Sequence, residues 1–319
     1  MEKGRLQRLG DAPAWPRVAV FGAGAVGCYF GGMLARAGEA VTLIGRARHV
    51  DAIRRDGLWI ASREFQEAVP VAASTDPAAA RDAELVLLCV KTPDTEPAAR
   101  ELAPHLASGA VVASLQNGVD NAARLGAILP NPIVPAVVYV SAEMMGPGRV
   151  RHNGRGDLII GAPRGRPSSG LEAIAATFER ASVPCRISTD IDRDLWEKLA
   201  LNCAFNPVSA LGRARYARLI AHEPARALLR EVIDEVVAVA AAEGIELPAE
   251  ELMRAAEALA RAVPQAISST AQDLEAGRPT EIDDLNGFVA SRGSALGVPT
   301  PVNRALHALV RLIQDGGED

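Results

Sequence analysis

Lys198, Asn202 and Asn206 recur every four residues within DIDRDLWEKLALNCAFN, residues 190–206. On a helix, positions at that spacing stack along one face. An ammonium followed by two carboxamides is a donor set suited to a small carbonyl acid, with the cation placed to meet negative charge and the amides to hold polar ends. Taken alone, the stretch reads rather as a partly solvated helix face with an ordinary lysine. The helix that must position these groups is well specified. Ile191, Leu195, Leu199 and Cys203 recur at helical spacing, so the opposite face can enter a core. Acidic residues crowd the first turn, where the helix dipole favours them. Pro207 limits how far the helix runs unbroken.

A second polar cluster lies in AISSTAQDLEAGRPTEIDDLNGF, residues 266–288. Ser268 and Ser269 precede Gln272 and Asp273 on a predicted helix, which Gly277 and Pro279 terminate. Thr280, Glu281, Ile282 and Asp283 then open another. Thr280 with Asp283 is also an N-cap arrangement, so Glu281 by itself reads as a first-turn acid.

The strongest local signal is at the start of the chain. RVAVF, residues 17–21, is a short apolar strand that runs into GAGAVG, residues 22–27, followed by a helix to Ala37 and a second apolar strand over 40–44. This is a βαβ unit with glycines at the offsets a dinucleotide needs. Gly22 permits the tight turn, Gly24 lets backbone approach a pyrophosphate, and Gly27 allows close packing of helix on strand. Ala23, Ala25 and Val26 complete the loop, whose phosphates would sit at the positive end of the helix dipole. After the second strand comes Gly45-Arg46-Ala47-Arg48-His49, with no carboxylate for the ribose hydroxyls. A guanidinium there makes a charge-assisted fork with a 2′-phosphate. The expectation is NADP(H), held by Arg46, with Arg48 and His49 either in support or simply loop residues.

Strand-like runs continue at 58–60, 85–90, 111–115 and 133–138, alternating with helices or turns, which predicts a doubly wound, mostly parallel sheet. Ligands bind beyond the carboxyl ends of such strands. Lys91 and Asn117 stand at two of those ends. Lys91 is either a cofactor contact or a surface lysine, and Asn117-Gly118 either a cofactor contact or a tight turn. Residues 150–152 and 157–161 read as the two arms of a late hairpin, and 185–188 as a last strand. Beyond Asp190 only alanine- and leucine-rich helical segments follow, over about 224–244, 249–262, 266–276, 282–296 and 301–314. The predicted organisation is a leader over 1–16, an α/β domain over 17–189 and a helical domain over 190–319, hinged near 188–190.

Composition narrows the function classes. The 319-residue chain is 49% hydrophobic and 23% charged, as in ordinary globular proteins, and long enough for two cores. Its net charge of -5 gives no electrostatic reason for nucleic acid or an anionic membrane as partner. Four scattered cysteines form no CxxC pair and five histidines show no metal-ligand spacing. The expectations are a reducing, cytoplasmic setting and no metal.

The motifs GxGAxG, LWxKLxxNxxxNP and SSxxQDxxxGRxTEID, in that order, resemble the ketopantoate reductase (2-dehydropantoate 2-reductase) family, from Arg17 to about Gln314. The resemblance implies a Rossmann domain and an all-α C-terminal domain like that of 6-phosphogluconate dehydrogenase. It implies NADPH-dependent reduction of ketopantoate to pantoate, a step toward pantothenate and coenzyme A. Residue by residue, it assigns the cofactor to 22–27, Arg46, Lys91 and Asn117. Lys198 matches the catalytic lysine, and Glu281 the glutamate near that lysine and the nicotinamide. Asn117, Lys198, Asn202, Asn206 and Ser269 would then bind the substrate. A homodimer through the helical domain is a further expectation. The alternatives are a reductase of another branched 2-keto acid and a non-catalytic NADP-binding regulator.

Overall fold

The computed structural model describes residues 17–163 and 170–316; the expected leader over 1–16 lies outside them. The described chain divides into two compact units. The first takes in residues 17–90, 94–116 and 120–191, and the second Lys91–Pro93, Asn117–Val119 and 192–316.

The first unit is built on β1 (Val18–Phe21), α1 (Ala25–Arg36), β2 (Val41–Ile44), α2 (Ala47–Asp56), β3 (Leu58–Ala61), β4 (Gln66–Val69) and β5 (Ala72–Ser74). It continues with β6 (Leu85–Leu88), α3 (Thr95–Leu102), β7 (Val111–Ser114), α4 (Asn121–Gly126), β8 (Ile133–Gly146), β9 (Arg149–Ile160), α5 (Leu171–Arg180) and β10 (Cys185–Ile187). The strands join in the order β4-β3-β9-β8-β7-β6-β1-β2-β5, with β10 on β9. All pairs are parallel except β3–β4 and β8–β9. Parallel strands covered on both faces should be apolar throughout, and β1 is an example. Val18 and Val20 pack with Phe30 and Leu34 of α1 and Phe178 of α5 on one face. Ala19 and Phe21 pack with Ala98, Ala99 and Leu102 of α3 on the other.

From β1 the chain winds outward through β2 to β5; from β6 it winds the other way through β7 to β8. The switch point therefore lies between β1 and β6, where open α/β sheets bind ligands.

Two expectations need correction. Residues 150–152 and 157–160 are parts of one strand, β9, which pairs antiparallel with β8 along most of its length. The intervening HNGRG has no apolar alternation; the backbone ladder holds it, with bulges beside Tyr139, Ser141 and Met144. The short strands β4 and β5 also go beyond the sequence reading: Gln66, Glu67 and Ala68 are exposed and only Val69 is buried, while AAS is exposed or half-buried, so neither carries a pattern.

The second unit is helical: α6 (Ile191–Gly212), α7 (Tyr216–Ala221), α8 (Glu223–Ala242), α9 (Ala249–Ala262), α10 (Ser269–Glu275), α11 (Phe288–Leu296) and α12 (Pro301–Asp315). The apolar face read on α6 is buried, with Ile191, Leu195, Leu199 and Cys203 all 7% exposed or less. Leu199 and Cys203 join Val232 and Val236 of α8, Ala256 of α9 and Val289 of α11 in one core. The segment expected to open a helix at Thr280 instead makes a π-helical turn, Asp283–Gly287, before α11. Among the described residues, no helix is long and apolar enough to cross a membrane.

Candidate active site

The cofactor loop lies in the first unit and meets its requirements locally. Gly22 has φ +110, and a Cβ there would stand 2.7 Å from the Cys89 carbonyl carbon, at the junction of β1 and β6. A Cβ on Gly27 would stand 2.1 Å from the Gly22 oxygen, so helix and loop touch backbone to backbone. A Cβ on Gly24 would meet nothing within 4 Å, which leaves the backbone face of the loop open. Gly24 is the N-cap of α1, and the first turn carries no acidic residue. Cys28 makes the first helical bond, to Gly24, so Ala25, Val26 and Gly27 occupy the positions whose N–H groups have no helical acceptor. Those donors and the open backbone fit a pyrophosphate.

Arg46 is the N-cap of α2, at the end of β2. Neither its guanidinium nor that of Arg48 pairs with a carboxylate among the described residues. Arg48 Nε donates to His49 Nε2 at 3.1 Å, and His49 is 6% exposed. His49 is thus packed in and holds Arg48, while Arg46 and Arg48 remain for an anion. Burial, then the Arg48 and Arg46 cations, lowers the His49 pKa below its ordinary value. Where the unfolded chain takes up this proton and the folded one does not, stability is lost as the pH falls. Thermal unfolding followed through pH 6.5 and below should show that loss, and His49→Gln should remove its share of it.

The second unit assembles the other residues. Lys198, half-buried on α6, donates from Nζ to Asn117 Oδ1 at 2.8 Å. Asn117 Nδ2 in turn donates to Glu281 Oε2 at 2.8 Å. The carboxamide can face only this way. Reversed, its NH₂ would meet an ammonium and its oxygen a carboxylate. Asn117 thus links cation and carboxylate across 81 and 164 residues of chain. Its position is fixed by Thr92, fully buried, whose Oγ1 donates to the Asn117 carbonyl at 3.0 Å, and by the turn at Gly118, φ +98.

Lys91 makes two protein contacts. Its Nζ pairs with Asp273 Oδ2 at 3.0 Å and donates to the Pro279 carbonyl at 2.7 Å, two residues before Glu281. The other Asp273 oxygen accepts from Arg278 Nε at 2.9 Å. Gln314 Oε1 accepts from the N–H and Oγ1 of Thr280 at 2.8 and 2.9 Å. Arg278, Pro279 and Thr280, the three residues before Glu281, are therefore each tied down. Asp273 stands in the polar cluster read from the sequence but without a partner assigned to it, and Gln314 lies outside that cluster, where nothing in the sequence marks it.

Asn202 and Asn206 follow Lys198 at helical spacing on α6, half-buried and buried respectively, and neither side chain bonds a described residue. Ser269 is exposed at the first position of α10. Its neighbour Ser268, buried, is the structural serine: its Oγ caps α10 at Ala271 N (3.1 Å) and donates to the Asn206 carbonyl (2.9 Å). Ser268 stands just ahead of the helical run, a position at which an N-cap can be read. Among the described residues, no group of three or more His, Cys, Asp or Glu is placed to hold a metal.

A 2-dehydropantoate 2-reductase of Halobacterium salinarum is 36% identical over 304 residues, covering 94% of this chain and all of the relative. The crystal structure of a PanE/ApbA family ketopantoate reductase from Ralstonia eutropha matches at 50% identity and TM-score 0.89, over 95% of this chain and 100% of that one. A D-mandelate dehydrogenase solved with NADH and anilino(oxo)acetate matches at 26% identity and TM-score 0.87, over 94% and 99%. The family models for ketopantoate reductase PanE/ApbA and its C-terminal part match residues 18–165 and 190–314. The chain belongs to the ketopantoate reductase PanE/ApbA family.

Proposed function

We propose that the protein is an oxidoreductase that reduces 2-dehydropantoate to pantoate with NADPH. The observation that carries this reading is the chain Lys198–Asn117–Glu281 in a member of this family. The residues 22–27 hold the pyrophosphate, and Arg46, with Arg48 beside it, holds the 2′-phosphate. When bound, the reduced nicotinamide supplies a hydride to the carbonyl carbon of the substrate. Negative charge then gathers on the C2 oxygen, and the Lys198 ammonium stabilises it and gives it a proton. Asn117 and Glu281 hold Nζ at that oxygen. Asn202, Asn206 and Ser269 offer free donors and acceptors for the carboxylate and hydroxyl of the acid. Lys91 braces the segment that carries Glu281. Free thiols at all four cysteines support a cytoplasmic setting.

The test is NADPH oxidation followed by absorbance with 2-dehydropantoate and a panel of other 2-keto acids, including phenylglyoxylate. Turnover that favours 2-dehydropantoate is the expected result. Preference for an aryl acid would place the enzyme nearer the mandelate dehydrogenases, and preference for another branched acid would make it a reductase of that acid. No turnover with any of them would leave an NADP-binding regulator.

The helical unit also supports a homodimer. Of the exposed large apolar side chains, Leu309, Leu312 and Ile313 lie on one face of α12, at 48, 69 and 51% exposure, in line with exposed Ala305 and Ala308. A second copy packed antiparallel on the middle of this stripe brings Arg304, which has no carboxylate partner among the described residues, opposite Asp315 of the other copy, whose carboxylate its own Arg311 also engages at 3.2 Å. Light scattering on the eluting protein should give twice the chain mass, and Leu312→Glu should halve it. A wild-type monomer at assay and higher concentrations overturns the pairing.

A further inference from the structure

Pro207 sits inside α6 and has no N–H to give. The carbonyl left without a helical donor is that of Cys203, four residues earlier. Cys203 is fully buried, where an unanswered carbonyl is costly. The missing donor comes from another element: Asn286 Nδ2 stands 3.0 Å from the Cys203 oxygen.

Asn286 belongs to the π-helical turn Asp283–Gly287. That turn is tied directly to Glu281, whose carbonyl accepts the N–H groups of Asp284 and Leu285 at 3.0 and 3.1 Å. The same Nδ2 also donates to Asn303 Oδ1 at 2.9 Å, and Asn303 Nδ2 to Glu235 Oε2 at 2.7 Å. Both asparagines are fully buried. The Glu235 carboxylate accepts the Val302 and Asn303 N–H groups at 2.8 and 2.9 Å, at the start of α12. The network therefore fixes the turn against α6, α8 and α12 at once. It does so at a cost, because Asn286 Oδ1 is buried with no hydrogen-bond partner. An apolar side chain would fill the site without that loss. What the carboxamide adds is direction: it answers one carbonyl, at one height along α6.

Lys198 is five residues before Cys203 on the same helix, and Glu281 is five residues before Asn286 on the other side of the bond. We propose that Pro207 and Asn286 act as a pair that sets the register between these two segments, Pro207 by exposing the Cys203 carbonyl and Asn286 by binding it. Asn286 is then a positioning residue for the Lys198–Asn117–Glu281 chain, and touches neither substrate nor cofactor. This rests on the roles given above to Lys198 and Glu281.

The experiment is a double-mutant cycle on the full chain with Asn286→Leu and Pro207→Ala. In Pro207→Ala the new residue supplies the helical N–H, so the Cys203 carbonyl no longer depends on Asn286. Small displacements of catalytic groups are expensive in rate. Asn286→Leu is expected to lower kcat by roughly tenfold or more with the NADPH dissociation constant unchanged. In the Pro207→Ala background the same substitution should cost distinctly less. Equal losses in both backgrounds would show that Asn286 does not act through that carbonyl. An unchanged kcat per folded molecule, with only Tm lowered, would reduce Asn286 to a scaffold residue. Should Asn286→Leu not fold, Asn286→Ser, which is polar but too short to reach, is read in the same way. If Lys198→Ala keeps its turnover, the reading of the site fails. Non-additive kcat loss in the cycle would still stand for the coupling.

Discussion

Lys198→Ala is expected to lower kcat by about 10²–10⁴-fold, the usual contribution of a positioned acid–base group, while the NADPH dissociation constant stays near the wild-type value. The size follows from what the ammonium is asked to do. A ketone that gains hydride leaves an oxyanion, and in a site shielded from water a fixed cation is worth more than the solvent it replaces. The geometry narrows the role further. Lys198 Nζ gives a hydrogen bond to Asn117 Oδ1, and Asn117 Nδ2 gives one to Glu281. Removal of the lysine therefore leaves Asn117 still held by Glu281 and by Thr92 at its carbonyl. The site should lose its cation without collapsing, so Tm should change little. Transient kinetics of NADPH oxidation under single-turnover conditions, beside a fluorescence titration of NADPH, separate the two quantities. Retained turnover would remove Lys198 from the chemistry. A parallel loss of NADPH binding would mean that the lysine serves the cofactor.

What the sequence discloses and what it hides follow from the range of each interaction. The loop 22–27 is legible because every requirement is local: a strand before, a helix after, and glycines where Cβ atoms would strike Cys89 or the Gly22 carbonyl. The buried face of α6 is legible for the same reason, being a matter of period. Asn117 carries no such signal for its place between Lys198 and Glu281. Its NG dipeptide reads as a turn, and Gly118 does make one, yet the side chain's partners lie far along the chain. Lys91 is a second case: its place after β6 points to a ligand, and no local pattern announces that Asp273 and the Pro279 carbonyl also engage its ammonium. The serine pair divides in a way that spacing does not reveal, Ser268 being spent on a cap and on the Asn206 carbonyl and Ser269 remaining exposed. Long-range polar pairing is directional, and a directional bond leaves no periodic trace.

Arg46→Ala is expected to weaken NADPH by about 10–100-fold and NADH hardly at all. Hydrogen bonds to charged groups contribute about 1.5–3 kcal/mol each, and the 2′-phosphate is the one group that distinguishes the two cofactors. The environment favours the phosphate over the ribose hydroxyls. Arg46 caps α2 at the end of β2, the first turn of that helix has no acid, and no described carboxylate neutralises Arg46 or Arg48. Arg48, held through its Nε by the buried ring of His49, should take a smaller share. Arg48→Ala is accordingly expected to weaken NADPH by less than Arg46→Ala. The measurement is the ratio of kcat/KM for NADPH and NADH in each variant, which a general loss of stability would not move. A fall of equal size for both cofactors would mean that Arg46 supports the loop and not the phosphate. A wild-type preference for NADH would show that two guanidinium groups without a described carboxylate partner at this strand end are compatible with a bare ribose, and the assignment of the 2′-phosphate would fall with it.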